Sequence, residues 1–356
     1  MKVLNYLFAE VSRVRARLIR EILVRLGVSL NNIVQLRFGE YPSLQNFRTL
    51  KTYSRGESLK FTHPRDSGIQ FFSFQERYLV SATDLVLDSL TGTLFDSRGR
   101  IIAESSSWPK TNVLLNSIPQ PKFYFPRHRF LKNESIIFLP SNGFYHWLIE
   151  DLPSYLFALK NTEAPITIIY ENAPNYVKDL LPSLPGEVIL SSRYQKYKEI
   201  AFTTKNESTG FPEPKDLEML RSYFSRFIQK MNPESRIYIS RLNSSRSPLF
   251  ERELCMSLVK SGWEVIYSEN MNFLDQIEKI SRANVLCGVS GAGLANAVWM
   301  SPGTKLIELT SEWLVPCFSR LAQVLHIEHQ IIRYETTTTE LADIIDSINS
   351  QVPKTF

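Results

Sequence analysis

Residues 284–310, NVLCGVSGAGLANAVWMSPGTKLIELT, decide the fold of this chain. The apolar run 284–287 predicts a buried strand, the small residues 288–293 a turn, 294–300 a helix and 305–309 a second strand. Glycines in such a turn let the backbone approach a ligand closely, and a helix N-terminus offers unpaired N–H groups to a phosphate. The glycine order, G-x-x-G-x-G, differs from the dinucleotide-binding fingerprint G-x-G-x-x-G. The turn therefore predicts either a phosphate site or tight packing alone.

The C-terminal part of the chain continues the same alternation of strands and helices, which predicts five parallel strands covered by helices. Ligands bind beyond the carboxyl ends of the strands in such sheets, and both Arg241 and Ser290 follow a predicted strand. Arg246 lies on the same polar loop as Arg241, so both guanidinium groups could contact phosphate oxygens there; the alternative is an ordinary solvated loop. The predicted strands are 236–240, 264–267, 284–287, 305–309 and 329–334, and the predicted helices are 249–260, 273–282, 294–300, 314–325 and 340–349.

A histidine and a glutamate four residues apart stand out in the first half. A strand at 135–139 precedes a predicted helix at 144–159 that is interrupted or kinked at Pro153. His146 and Glu150 share one face of that helix, where the carboxylate can hold the imidazole tautomer and raise its basicity. The alternative is a histidine hydrogen-bonded within an aromatic core. Further strands and helices at 166–170, 175–181, 187–190 and 197–203 predict a second parallel sheet, and a helix at 215–230 separates the two halves.

The first 30 residues carry most of the net charge of +5, because they contain six basic and two acidic side chains. Apolar residues recur there at three- and four-residue steps, which predicts an amphipathic helix. Charges interrupt its apolar face, so it is predicted neither to span a bilayer nor to act as a signal peptide. Two interpretations stay open: a helix packed on the protein or on a second subunit, and a helix whose residues 1–26 lie on an anionic membrane surface. Sedimentation of the full-length and truncated chains with anionic vesicles separates them.

Composition limits the class of protein. A chain of 356 residues with 43% hydrophobic residues is long enough for two domains. Cys255, Cys287 and Cys317 are odd in number and form no C-x-x-C pair, which favours a reducing, cytoplasmic compartment and argues against structural zinc. Charge is nearly balanced outside the first 30 residues, so no nucleic-acid partner is expected. Residues 31–121 alternate short apolar patches with turn signals and predict strands and loops, in which His63 receives no role.

Three blocks, in this order, resemble glycosyltransferase family 61, whose bacterial members are often labelled capsular polysaccharide biosynthesis proteins. They are NGFYHWLIEDLP at 142–153, YISR with a following arginine and an acidic helix start at 238–254, and GVSGAGLAN to LIEL at 288–309. The resemblance implies a GT-B-like α/β fold of two Rossmann-type domains facing a cleft. It also implies an inverting transfer from a nucleotide sugar with no obligatory metal and no other cofactor. Two positions depart from the family: Ser290 stands where histidine is frequent, and Phe250, before Glu251, where asparagine is frequent.

The resemblance and the residue pattern together divide the chain into five parts. They are a basic amphipathic helix at 1–30, a strand and loop region at 31–121, an acceptor-side Rossmann-like domain at 122–212, a linker helix at 213–235 and a nucleotide-sugar-binding Rossmann-like domain at 236–356.

The donor side of the implied site lies in the last of these parts. The donor diphosphate is expected on the turn of Ser290, Gly291, Ala292 and Gly293, with Arg241 and Arg246 stabilising the leaving charge. Glu308 is expected to accept a ribose or sugar hydroxyl and Glu251 to support the donor side. Asn296 is assigned to the donor site, with a structural hydrogen-bonding role as the alternative.

The acceptor side is expected on the helix at 144–159. His146 is the first candidate for the general base and Glu150 the second, acting directly or by orienting His146. Asp151 is a weaker candidate because the next helical position points about 100° away. The expected partners are a nucleotide-sugar donor and a glycan or lipid-linked glycan acceptor. The two partners left open for residues 1–26 are an anionic membrane at the inner face of the cell membrane and a second copy of the chain.

Two other classes of protein remain open at this level. A polysaccharide-modifying transferase with another reaction, such as pyruvyl transfer, would use the same glycine turn without a sugar donor. A non-catalytic sugar-nucleotide-binding protein would follow if Ser290 and Phe250 mark a degraded site.

Overall fold

A computed structural model describes residues 48–54, 56–62, 64, 68–95, 102–105, 127–128, 136–141, 143–206, 209–228, 235–311, 316–335 and 340–352. The predicted amphipathic helix within residues 1–30 lies outside these ranges, as does His63. The fold is mixed α/β, with an eight-stranded sheet, a five-stranded sheet and a separate two-stranded sheet. None of the described helices is both long and apolar enough to cross a membrane.

The eight-stranded sheet is built by the first half of the chain. Its main path runs β1-β4-β10-β7-β8-β9, while β5 pairs with β4, β6 pairs with β10, and β2 and β3 form the separate pair. The strands are β1 (Arg48–Ser54), β2 (Ser58–Thr62), β3 (Ile69–Ser73), β4 (Arg77–Asp88), β5 (Thr93–Phe95), β6 (Arg127–His128), β7 (Ile136–Leu139), β8 (Ile166–Tyr170), β9 (Glu187–Ser191) and β10 (Tyr194–Thr203).

This sheet confirms part of the prediction and corrects the rest. The predicted parallel arrangement is present in β10, β7, β8 and β9. Strand β4 adds to it in the antiparallel direction, pairing with β10 from Asp88–Tyr194 to Leu79–Thr203. The sequence predicted two short strands at 78–81 and 84–87, because the polar pair Thr83 and Asp84 interrupts the apolar pattern. In the structure one strand continues through them, with Asp84 at a φ of 58°.

The second sheet has the predicted five parallel strands. Its order is β12-β11-β13-β14-β15 and all pairs are parallel. All five predicted strands are confirmed as β11 (Ser235–Ile239), β12 (Glu264–Ile266), β13 (Ala283–Val289), β14 (Lys305–Thr310) and β15 (Glu328–Arg333).

Helices cover both sheets. The first half contributes α1 (Phe144–His146), a π turn (Trp147–Asp151), α2 (Leu152–Asn161), α3 (Asn175–Lys178) and α4 (Pro214–Tyr223). The second half contributes α5 (Glu251–Lys260), α6 (Phe273–Ser281), a 3-10 helix (Ala292–Trp299), α7 (Cys317–Leu325) and α8 (Leu341–Ser350). Helix α4 ends at Tyr223, seven residues before the predicted end at 230, and Phe224 at its C-terminus is buried in the core.

One hydrophobic core joins the two halves. Trp147 contacts Phe273 with ring centroids 5.0 Å apart, and Phe224 contacts Trp299 at 5.6 Å. Arg221 of α4 adds a hydrogen bond of 2.8 Å to the carbonyl oxygen of Met300. Smaller clusters cover the outer face of each sheet. The predicted linker segment therefore packs on both halves, while the division into five parts stays a prediction.

A buried ionic cluster fastens α4 to the first sheet. Arg77 on β4 is 1% exposed, and its guanidinium lies 2.6 Å from Glu213 and 2.9 Å from Asp216. It also donates to the Ser154 hydroxyl at 2.6 Å. Burial raises the pKa of Asp216 to about 6, although the charge of Arg77 opposes that shift.

Replacing Arg77 by methionine is expected to destabilise the protein by about 3–5 kcal/mol, because two buried carboxylates lose their cation. Urea unfolding measures the change, with Lys215→Met as the control because Lys215 forms only an exposed pair with Glu218. A loss no larger than that of the control would contradict a structural role for the cluster.

Candidate active site

The second sheet reverses its strand order where β11 lies beside β13. The chain passes from β11 outward to β12 and then returns to β13, from which β14 and β15 extend in the other direction. Ligands of open parallel sheets bind at this switch point, beyond the carboxyl ends of the strands. Arg241 follows β11 and Gly291 follows β13, so the structure brings together the two predicted strand ends.

The Arg241 side chain lies across the end of β13. Its guanidinium donates to the carbonyl oxygen of Ser290 and, at 3.2 Å, to the Ser244 hydroxyl. A Cβ atom added to Gly291 would lie 2.7 Å from Arg241 Nη1. Gly291 therefore leaves room for the Arg241 guanidinium to lie close to the backbone. The backbone conformation itself does not call for glycine, because a φ of 173° is extended backbone that any residue adopts.

Glu251 holds the backbone from which Arg241 projects. Its buried carboxylate accepts a hydrogen bond of 2.7 Å from the Arg241 backbone N–H. It accepts two more, from the Tyr238 hydroxyl at 2.9 Å and the Ser240 hydroxyl at 3.1 Å. These contacts place the predicted donor-side support behind the arginine loop, where it orients Arg241.

Two arginines without a carboxylate partner face a cavity of about 300 Å³, termed the arginine cavity. Burial and the neighbouring charge of Arg246 both lower the pKa of Arg241. Among the described residues, no acidic side chain forms an ion pair with either guanidinium. An anion would relieve this repulsion and complete the hydrogen bonding. The lining residues are Ile239, Ser240, Arg241, Asn243, Ser244, Arg246, Ser268, Glu269, Val289, Gly291, Ala292, Gly293 and Leu294.

The helix after the glycine turn begins earlier than predicted and is of another type. It is a 3-10 helix from Ala292, two residues before the predicted start at 294. Its first backbone bond runs from the N–H of Leu294 to the carbonyl of Gly291, at 3.0 Å. Ala292 and Gly293 precede that bond and both line the arginine cavity. The N-terminus of the 3-10 helix therefore lies at the cavity in which a donor diphosphate is expected.

Asn296 lies behind the cavity in a buried network. Its amide donates to Gln276 at 3.1 Å and accepts from the Trp299 indole at 3.2 Å. Gln276 in turn donates to the carbonyl oxygens of Ser268, at 2.9 Å, and Met271, at 3.3 Å. The described contacts of Asn296 are hydrogen bonds within the protein that hold the loop after β12, and its assignment to the donor site stays a prediction.

Glu308 is also set back from the cavity. Its side chain is fully buried on β14 and contacts His329 Nε2 at 3.1 Å. The other His329 nitrogen lies 2.7 Å from the Ser319 hydroxyl. The second Glu308 oxygen has no hydrogen-bond partner within the described part of the chain. The predicted contact of Glu308 with a donor hydroxyl therefore stays a prediction.

His146 and Glu150 form the predicted pair. His146 Nδ1 lies 3.1 Å from Glu150 Oε2 and 2.7 Å from the Thr209 hydroxyl. Glu150 accepts from that hydroxyl at 2.7 Å and from the Gly210 N–H at 2.8 Å. Asp151, the weaker candidate, is paired with Lys205 at 2.7 Å.

The pair sits at a π turn that ends two residues before Pro153, and Pro153 lies in the first turn of α2. The N–H of Leu152 bonds to the carbonyl of Trp147, five residues back. Proline has no N–H to donate into the first turn of α2, and the Ser154 hydroxyl bonds the Glu150 carbonyl at 2.7 Å. Such single π turns are frequent at functional sites because they redirect side chains.

The two groups shift each other's pKa in opposite directions. Burial disfavours the imidazolium, but the hydrogen bond and charge of Glu150 outweigh it and raise the pKa of His146. Burial alone would raise the pKa of Glu150, but His146, Gly210 and Thr209 lower it overall. The geometry therefore suits a histidine base backed by an ionised carboxylate.

A second cavity, of about 370 Å³, lies between the halves and is termed the aromatic cavity. It shares Ser268, Glu269 and Gly293 with the arginine cavity. His146 lines neither cavity: it follows the lining residue Phe144 by two positions, which turns it by about 200° on a helix. The lining residues are Phe144, Pro174, Asn175, Tyr176, Ser268, Glu269, Met271, Gln276 and Gly293.

The sequence reasoning overlooked two groups of residues at the site. Ser268 and Glu269 follow β12, and the strand-end rule that selected Arg241 and Ser290 applies to them equally. Thr209 and Gly210 lie far from His146 along the chain, and no local pattern indicates their contact with Glu150.

The geometry defines an α/β protein with two arginines lining a cavity at a topological switch point. Residues 144–307 match the family model described as Glycosyltransferase 61, which includes both arginines and the His146–Glu150 pair. The chain is also similar to the β-1,2-xylosyltransferase RCN11 of Oryza sativa subsp. japonica, with 28% identity over 82 residues, covering 23% of this chain and 15% of that protein. Both findings are similarities of parts of the chain to glycosyltransferase sequences, and the chain spans about 15% of the length of the rice protein.

Proposed function

We propose that the protein is an inverting, metal-independent glycosyltransferase that moves a sugar from a nucleotide-sugar donor to a glycan or lipid-linked glycan. The observation that carries this proposal is the Arg241–Arg246 pair at the switch point, which has no ion-pair partner among the described acidic residues and lies within the segment that matches the family. The proposal extends to surface or capsular polysaccharide biosynthesis at the cytoplasmic face of a membrane, which rests on the sequence alone.

The arginine cavity would hold the diphosphate of the donor. The bond between the anomeric carbon and the diphosphate oxygen breaks during transfer, and negative charge grows on that oxygen. Arg241 and Arg246 would stabilise this charge, together with the N–H groups that begin the 3-10 helix. Fixed guanidinium groups perform the function that a divalent cation performs elsewhere, which supports metal independence.

His146 is the proposed general base. The acceptor hydroxyl oxygen attacks the anomeric carbon from the side opposite the leaving group, which inverts the configuration, and the base removes the hydroxyl proton. Because Nδ1 contacts Glu150 and Thr209, the proton would be taken by Nε2. Ionised Glu150 would then stabilise the imidazolium.

Thermal unfolding with nucleotides tests the proposal. We expect one of UDP, GDP, CMP or TDP, or its sugar conjugate, to stabilise the protein by about 2.7 kcal/mol at 100 times its Kd, equally with and without EDTA. Product analysis should then show sugar transfer with inversion. Stabilisation that EDTA removes would contradict metal independence, and no stabilisation by any nucleotide would favour pyruvyl transfer.

A further inference from the structure

We infer that the aromatic cavity binds the ring of a sugar, either the transferred sugar of the donor or the accepting sugar of the glycan. This inference rests on the proposed function and assigns a second subsite to it.

The first observation is the position of the aromatic cavity. The cavity is walled by α1 and α3 of the first half and by the loop after β12 of the second, and it adjoins the arginine cavity, with which it shares the lining residues Ser268, Glu269 and Gly293. A ligand with its phosphates on the arginines could therefore extend into it.

The second observation is charge. The arginine cavity contains two cationic side chains, whereas the described lining of the aromatic cavity has none. Glu269 lines both cavities, but only in the arginine cavity do two arginines offset its charge; in the aromatic cavity its carboxylate can accept hydrogen bonds from hydroxyl groups. The junction of the two cavities thus separates an anion-binding space from a space suited to a neutral polyhydroxyl group.

The third observation is the apolar wall. Phe144 and Tyr176 meet edge to face with centroids 5.0 Å apart, and Tyr176 also packs on Trp147 at 4.8 Å. Small-molecule sites combine such aromatic surface with a few polar groups that fix orientation. A sugar ring presents C–H groups on its faces and hydroxyls at its rim, which matches an aromatic wall beside a carboxylate and amides.

The fourth observation is rigidity. The loop of Ser268 and Met271 is held by the buried amide of Gln276, which is itself held by Asn296. Glu269 accepts a hydrogen bond of 2.7 Å from the Asn243 side chain on the arginine loop. These contacts fix the shared wall, so the distance between an anion and a sugar would be set before binding.

Two variants test the inference by titration calorimetry with the full chain. Glu269→Gln keeps the oxygen that accepts from Asn243 and removes the charge, and Tyr176→Leu removes the ring. Controls are Glu253→Gln, an exposed carboxylate on α5, and Tyr223→Leu, a partly exposed tyrosine. The ligands are the best nucleoside diphosphate of the panel, its sugar conjugates, and free oligosaccharides selected on a glycan array.

We expect Tyr176→Leu to bind the nucleoside diphosphate within about twofold of wild type, and both variants to lose about tenfold for one sugar-containing ligand relative to the nucleoside diphosphate. A loss confined to the nucleotide sugar identifies the donor sugar, and a loss confined to the oligosaccharide identifies the acceptor sugar. An equal loss for the nucleoside diphosphate overturns the inference, because the cavity would then hold the nucleoside. Unchanged affinity for every ligand overturns it too, as does a loss confined to kcat with both KM values unchanged. If the wild type binds no nucleotide, the proposed function fails instead.

Discussion

Replacing Arg241 by alanine is expected to raise the Kd of the nucleoside diphosphate by about 10- to 150-fold, the effect of losing charge-assisted hydrogen bonds worth about 1.5–3 kcal/mol. At 100 times the wild-type Kd, the thermal stabilisation by that nucleotide should fall from about 2.7 kcal/mol to between about 0.3 and 1.4 kcal/mol. The protein should stay folded, because the guanidinium is half-buried and forms no ion pair with a described acidic residue.

The large expected increase in Kd follows from the way the backbone and side chain of Arg241 are held at the arginine cavity. Its backbone is fixed by Glu251 and its side chain by Ser290 and Ser244. The charge is therefore held in place before a ligand arrives, and little side-chain entropy is lost on binding. Arg246 is exposed, so its replacement should weaken binding less.

Arg252→Ala is the matched control, since Arg252 is an exposed arginine on α5. Gly291→Ala offers a second route to the same atom: its methyl group would displace the guanidinium without removing the charge. Arg241→Ala with a Kd within about twofold of wild type would place the phosphate elsewhere.

The parallel sheet of the second half was predictable because each strand is a short apolar run between clear turn and helix signals. The β11 and β13 ends could be paired from the same information, since adjacent parallel strands end at one edge. Arg241 and Gly291 therefore meet as predicted.

The first sheet was harder to predict because its antiparallel part depends on distant pairing. Nothing local in β4 indicates β10 as its neighbour. The polar residue Asp84 interrupts the apolar pattern, so the sequence predicts two short strands where the structure has one. The same limit applies to Thr209, which reaches Glu150 only through tertiary structure.

Neither Asn296 nor Glu308 lines the arginine cavity, and both side chains are fully buried and bonded to partners from other elements. Their roles toward a donor stay predictions. Gln276 lies on the helix before β13 and His329 on the strand after β14, and their contacts could not be read from the spacing along the chain.

His146→Ala is expected to lower kcat by about 10²–10⁴-fold, the usual contribution of a positioned general base, with little change in nucleotide Kd. Its control is His326→Asn, because His326 is exposed and adopts the left-handed conformation that asparagine tolerates. Steady-state kinetics beside nucleotide titration separate the two effects.

The Glu150→Gln variant tests how the pair works through the pH dependence of kcat/KM. A base must be neutral to accept a proton, so the wild-type rate should rise with pH as His146 loses its proton. Burial lowers the pKa of His146, and the hydrogen bond and charge of Glu150 raise it above its ordinary value. Removing the Glu150 charge lowers the pKa of His146, because the effect of burial is then less opposed. The acidic limb of the kcat/KM profile should therefore move to lower pH, while the maximal rate falls. An unmoved limb would mean that another group titrates, and Glu269, at the junction of the two cavities, would become the next candidate for the base.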